Sequence, residues 1–178
     1  MPSDPIELDD VIVLLLGAPS TTDAPTGRIE GITRLEKLVF LYEREFGENW
    51  LEQDAGFIAH NFGPFSAEVY KAVDMLSAAG LVRDTGKIGD SREDTWESAK
   101  IIGTEEGDPY ATRDFELTDL GHEYYEALVS ELPSDAEDRL AKFKRKYATL
   151  KLRQLIRYVY EHYKDFTDKS LIRDAVMR

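Results

Sequence analysis

The sequence predicts an α+β fold, in which helices alternate with short strands and a basic helical segment closes the chain. Three observations predict it. Hydrophobic residues make up 42% of the 178 residues, which is enough for a core and excludes a wholly disordered chain. Apolar residues recur at helical spacing in several segments, and short extended segments lie between those segments.

Two helices are predicted near the beginning of the chain. The first has Asp4 as its N-cap and ends at Gly17. A loop-like stretch follows it. The second is predicted to run from Thr33 to Gly47, because Thr33 and Glu36 have the spacing of a capping box.

A short strand and a third helix are predicted next. Residues 57–62 form the strand candidate, and Gly63 with Pro64 predicts a turn after it. Ser66 can then cap a helix over residues 66–79.

The strands that follow predict the topology. An extended segment begins at residues 80–82, another strand is predicted at residues 113–117, and a further candidate lies near residues 95–102. Helix, helix, short strand, helix and two longer strands is the order of a winged helix. Its wing would span residues 83–113.

Three more helices are predicted toward the C-terminus. One begins at Thr118, and its inward residues are predicted to be Leu120, Tyr124, Ala127 and Leu128. After Pro133, Ser134 and Glu137 predict another capped helix that extends to Tyr147. The last helix follows Thr149, with an apolar face of Leu152, Leu155, Ile156, Val159, Tyr160 and Tyr163. We therefore predict a winged-helix-like domain at residues 1–132 and a basic helical hairpin at residues 133–178.

Charge is distributed unevenly along the chain. The net charge is -13, yet residues 139–178 contain 12 basic and 4 acidic side chains, a net of +8. Between residues 139 and 157 there are eight basic residues and no acidic one. This segment is either an exposed interaction surface or a surface that docks on the acidic body of its own chain.

Composition narrows the class of protein further. The absence of cysteine excludes disulfides, thiolate metal sites and cysteine nucleophiles. No apolar run approaches the roughly 20 residues that cross a bilayer, and no secretory signal is evident, which favours a cytoplasmic protein. Acidic, lysine-poor chains are typical of a cytoplasm at molar salt, so halophilic origin is one hypothesis and an ordinary acidic protein is the other.

Four segments together resemble a known group of proteins. Residues 31–43 (GITRLEKLVFLYE), 60–82 (HNFGPFSAEVYKAVDMLSAAGLV) and 115–126 (FELTDLGHEYYE) resemble blocks of the YwgA-like winged-helix family. Residues 147–170 resemble the closing helices shared by that group and the Panacea antitoxin domain. The resemblance implies a winged-helix-related α+β fold and does not imply an enzyme. The family has associations with transcription regulation, toxin neutralisation and phage defence.

Two functions are predicted, and neither is catalytic. The first is a dimeric regulator that binds DNA, reading it with the helix at residues 66–79. The alternative is an antitoxin-like or defence-associated module that binds a protein, which the acidic wing favours because residues 81–113 carry a net charge of -3. The residues predicted to contact DNA or a partner are Ser66, Tyr70, Lys71, Arg139, Lys142, Lys146, Arg153 and Arg157.

Catalytic and metal-binding motifs are not evident in the sequence. It has neither a phosphate-binding loop nor a nucleophile elbow. His122 and Glu126 could share a helix face, but no further ligands complete a zinc site. We therefore predict no catalytic residue, no metal and no cofactor.

Overall fold

The computed structural model describes residues 6–20, 27–46, 50–51, 53–60, 63–84 and 114–166. The described residues include six α-helices: α1 (Leu8–Gly17), α2 (Ile32–Glu45), α3 (Ala67–Ala78), α4 (Asp119–Glu131), α5 (Ala136–Tyr147) and α6 (Leu152–His162). A 3-10 turn at Lys164–Phe166 follows α6.

Two small antiparallel sheets accompany the helices. The strands are β1 (Arg28–Glu30), β2 (Ile58–His60), β3 (Gly63–Phe65), β4 (Val82–Asp84) and β5 (Asp114–Leu117). One sheet has the order β1-β5-β4, and the other pairs β2 with β3. The architecture is therefore a mixture of α-helices and antiparallel strands, as the sequence predicts.

The strand predictions are only partly right. The predicted strand at residues 57–62 is present as β2, but it pairs with β3 and not with the main sheet. The predicted turn at Gly63-Pro64 is wrong, because both residues lie in β3. The main sheet also contains β1, which has a single inward residue, Ile29, and is too short for its alternation to predict a strand. Most of the predicted wing, with its strand candidate near residues 95–102, lies outside the described residues.

Helix positions agree with the sequence better than helix caps do. Ser66 caps α3 as predicted and accepts a hydrogen bond from the backbone N–H of Val69 at 3.3 Å. Thr118, where the fourth helix was predicted to begin, is the N-cap of α4 and accepts from the backbone N–H of Gly121 at 3.0 Å. The other three predicted caps are wrong: the N-caps are Glu7, Gly31 and Asp135, where Asp4, Thr33 and Ser134 were predicted. Glu36 is buried and bonds elsewhere, so Thr33 lies inside α2 without a capping box.

The predicted buried face of α4 is rotated from the observed one. Its buried residues are Gly121, Tyr125 and Leu128, whereas Leu120 and Tyr124 are 52% and 37% exposed. Gly121 lies against the backbone carbonyl of Leu81, where a side chain would not fit. This close approach sets the rotation of the helix. The spacing of apolar residues along the sequence does not reveal such a contact.

One hydrophobic core crosses the predicted boundary between residues 132 and 133. Leu140 and Phe143 of α5, and Leu155 and Ile156 of α6, belong to the same cluster as the apolar residues of α1 and α2. Helix α6 packs on α2 and β3, and α5 packs on α1. The C-terminal helices are thus built into the body of the protein.

Candidate anion-binding groove

Three of the predicted basic residues line one shallow groove of about 260 Å³. The groove lies between α5 and the end of α2. Its lining consists of Glu45, Phe46, Arg139, Lys142, Phe143, Lys146 and Tyr147. Three cations and one carboxylate give it a net charge of +2 (3 minus 1) on a protein of net charge -13.

The spacing of the cations follows from the helix that carries them. Arg139, Lys142 and Lys146 occur at intervals of three and four residues, so they share one face of α5. At about 1.5 Å per residue they span about 10 Å along the helix axis. That length matches about three nucleotide steps at about 3.4 Å each.

Arg139 is held in place by aromatic rings. Its guanidinium carbon lies 5.1 Å from the ring centroid of Phe46 and 5.8 Å from that of Trp50. It also donates a long hydrogen bond of 3.5 Å to the carbonyl oxygen of Phe46. Stacking of this kind orients the guanidinium while leaving its charge in place.

Lys146 has a weak internal counter-ion. Its ammonium lies 3.9 Å from Oε1 of Glu45, and 61% of its side chain is exposed. An exposed pair at this distance contributes little, typically about 0–1 kcal/mol. Lys142 is exposed on the same face. The groove therefore retains positive charge toward solvent.

The carboxylate of Glu45 accepts hydrogen bonds from three tyrosines. It accepts hydrogen bonds from the hydroxyls of Tyr147 at 2.5 Å, Tyr163 at 2.7 Å and Tyr158 at 2.8 Å. Burial alone would raise the pKa of Glu45, but these bonds and the charge of Lys146 lower it below its ordinary value. Burial and the bond to Glu45 raise the pKa of Tyr147 and of Tyr163.

The other basic residues of the segment have separate roles. Arg157 pairs with Glu161 one turn away at 3.0 Å on the exposed side of α6, and Arg153 is exposed on the same helix. Neither lines the groove. Lys144 is buried and donates to the carbonyl oxygens of Leu16 at 3.1 Å and Ala18 at 2.7 Å, at the end of α1. Burial lowers the pKa of Lys144 to about 8.

The predicted reading helix, α3, presents little positive charge. Lys71 is exposed but pairs with Glu68 at 3.1 Å. Tyr70 is half-buried against the ring of Phe65, 5.4 Å away between centroids. Met75, which sequence analysis did not assign to the surface, is 63% exposed.

Ser66 is an interior residue. It is 1% exposed, and its hydroxyl donates to the carbonyl oxygen of Ala55 while it caps α3. Its backbone N–H donates to Glu36, which also pairs with the buried ammonium of Lys37 at 3.1 Å. Lys37 in turn donates to the carbonyl oxygen of Pro64 at 2.8 Å. This network joins α2 to β3 and leaves the Ser66 side chain no surface for a partner.

Groups suited to bind metals are sparse in the part of the chain that the structure describes. No cluster there of three or more histidine, aspartate or glutamate side chains could hold a metal ion. His162 is exposed, with Nδ1 at 2.8 Å from the carbonyl oxygen of Tyr158.

None of the described helices is long and apolar enough to cross a membrane.

Together these features define an α+β protein with a basic surface groove on an acidic body. Comparisons with known proteins find no matching family model, no matching curated protein and no matching solved structure.

Proposed function

We propose that the protein is a non-catalytic, winged-helix regulator that binds DNA through the groove on α5. The element order supports the winged-helix assignment. Helices α1, α2 and α3 precede the antiparallel pair β4-β5, and a short third strand joins that pair in the order β1-β5-β4. This third strand is β1, between α1 and α2, and not the strand predicted between the second and third helices. The pair β2-β3 is an insertion between α2 and α3 in this scheme.

The groove carries the proposal. Arg139, Lys142 and Lys146 lie on one helix face, and Glu45, the one carboxylate among the described residues that line the groove, already accepts three tyrosine hydroxyls. Phosphates are the anions that such a row of cations suits. The rings of Phe46, Phe143 and Tyr147 are each less than 10% exposed, so bases have no ring face to stack on. The contact that we propose is with the phosphate backbone, which Arg and Lys side chains neutralise.

Binding to a labelled mixed-sequence DNA duplex across a salt series tests the proposal. Each phosphate contact contributes about -0.9 to the slope of log K against log salt concentration. We expect the double variant Lys142→Gln with Lys146→Gln to bind the duplex at least about tenfold more weakly. Its slope should be less negative than that of the wild type by about 1.8, since two phosphate contacts are lost.

Arg145→Gln is the matched control, because Arg145 is exposed on α5 but does not line the groove. It should change affinity by less than about twofold. The proposal fails if the wild-type protein does not bind the duplex at low salt, or if the groove variant and the control bind equally.

A protein-binding module is the second candidate, and the exposed face of α3 favours it. The Glu68–Lys71 pair and Met75 make that face neutral and partly apolar, which suits a protein surface better than phosphates. This candidate predicts that the protein binds no DNA but rescues cells from a toxin encoded by a neighbouring gene. It also predicts that Met75→Glu abolishes the rescue.

A further inference from the structure

An exposed apolar stripe on α4 lies apart from the groove. Leu120, Tyr124 and Ala127 fall within about 60° of arc at helical pitch, and all three are exposed. The sequence predicts that they are buried, but the close contact at Gly121 turns them outward. Within the part of the chain that the structure describes, these three side chains therefore contribute little to the hydrophobic core.

Carboxylates border this stripe on both sides. On the α1 side, Asp10 accepts a hydrogen bond of 2.5 Å from the hydroxyl of Tyr124. The charges of Asp9 and Glu7 also act on that hydroxyl. On the other side, α4 contributes the exposed side chains of Asp119, Glu123 and Glu126.

The bond to Asp10 also orients the tyrosine ring. Burial and this bond raise the pKa of Tyr124, so its hydroxyl stays protonated and keeps donating. A ring held in one position costs less conformational entropy when a partner covers it, because its freedom is already reduced. The stripe thus offers a partly preorganised apolar contact with a negative border.

We infer that the stripe Leu120–Tyr124–Ala127 is a docking site for a cationic amphipathic helix of a partner protein. Leucine-like side chains of such a helix would cover the stripe, and its lysines or arginines would face the carboxylates on α1 and α4. A second copy of this face is a poorer occupant, since it would bring the two acidic borders together. This inference does not rest on DNA binding.

A designed peptide probes the site. It is an 18-residue helical peptide with leucine on one face and lysine on the other, labelled for fluorescence anisotropy. A peptide of the same composition in scrambled order is its control. We expect the amphipathic peptide to bind the full-length protein at about 150 mM salt at least about fivefold more tightly than the scrambled peptide.

Variants then locate the binding. Leu120→Gln with Ala127→Gln changes exposed positions and keeps good helix formers, so folding should be retained. It should weaken peptide binding at least about fivefold. Ile58→Gln removes an exposed apolar side chain from β2, away from α4, and should change binding by less than about twofold.

Three outcomes overturn the inference. They are equal binding of the two peptides, equal effects of the stripe variant and of Ile58→Gln, and self-association of the wild-type chain that Leu120→Gln abolishes in sedimentation. The last result would assign the stripe to a second copy of this chain.

Discussion

Glu45 shows how a single residue connects the groove to the core. It is the last residue of α2, and its carboxylate accepts hydroxyls from the end of α5, from α6 and from the residue after α6. The aromatic residues near the C-terminus therefore serve the packing and hydrogen bonding of the monomer.

Acid should weaken the Glu45 cluster. The folded-state pKa of Glu45 is lowered, so its contribution to stability is present above its unfolded-state pKa of about 4.3 and is lost as pH falls through the folded-state pKa. We expect Glu45→Gln to reduce the free energy of unfolding by about 1–3 kcal/mol at pH 7, since hydrogen bonds to a charged acceptor are weakened.

Urea unfolding at pH 7 and near pH 3 checks this prediction. The difference between wild type and Glu45→Gln should shrink at the lower pH, because the contribution of a carboxyl with a lowered folded-state pKa decreases as pH falls below its unfolded-state pKa of about 4.3. Glu116→Gln, an exposed position on β5, is the control. A difference that is the same at both pH values would show that the charge of Glu45 does not stabilise the fold.

The burial of Lys144 could not be predicted from the sequence. In the sequence it is one basic residue among eight, yet it is buried and caps the carbonyl end of α1. The helical stripe of Arg139, Lys142 and Lys146 could be predicted, since spacing alone places residues on a face. Which lysine of the segment turns inward depends on where α1 ends in space, and local spacing carries no such information.

Among the elements, the segment from β3 to α3 has the most strongly determined conformation. Gly63 has φ 91° and faces the ring of Tyr160, so a side chain there would be strained and would meet that ring. Ser66 and the buried Glu36–Lys37 pair hold the other end. The block GPFS, which supports the family resemblance, is thus explained by structural requirements alone.

The Ser66 cap yields a prediction about stability. Ser66→Ala removes the cap of α3 and leaves the carbonyl oxygen of Ala55 without this buried donor. We expect a loss of about 1–3 kcal/mol in the free energy of unfolding. Ser130→Ala is the control, because its exposed hydroxyl donates only to the nearby carbonyl of Ala127. Equal thermal midpoints for the two variants would contradict a structural role for Ser66.

Helices with a long apolar pattern could be predicted from the sequence. Elements whose position depends on a contact with a residue distant in sequence could not. Helices α3, α5 and α6 lie close to their predicted positions, because each has several apolar turns. Strand β1 is three residues long and depends on its pairing of Ile29 with Phe115, which is distant in sequence. The rotation of α4 depends in the same way on the distant carbonyl of Leu81.

In the whole molecule, some basic side chains of residues 139–157 contact the protein's own body and others face solvent. Lys144 is buried and bonds to a backbone carbonyl oxygen at the end of α1, and Lys146 pairs only weakly with Glu45. Lys142 faces solvent in the groove. The alternative that the segment docks on its own chain is thus right for Lys144 and, weakly, for Lys146, whereas an interaction surface on this segment stays a prediction. The surface that remains for an external anion is smaller than the +8 of the sequence suggests, and it lies on one face of α5.

Truncation at the predicted domain boundary should abolish folding. A chain of residues 1–132 lacks the buried side chains of α5 and α6, which are Ala136, Leu140, Phe143, Tyr147, Leu155, Ile156, Val159 and Tyr160. Each large apolar side chain contributes about 1.5–3 kcal/mol on burial. Their sum is comparable to the whole free energy of unfolding of a domain, about 5–15 kcal/mol. Circular dichroism of the fragment should therefore show no cooperative thermal transition, whereas the full chain shows one. A sharp transition in the fragment would mean that residues 1–132 form a domain of their own and that the C-terminal helices only dock on it.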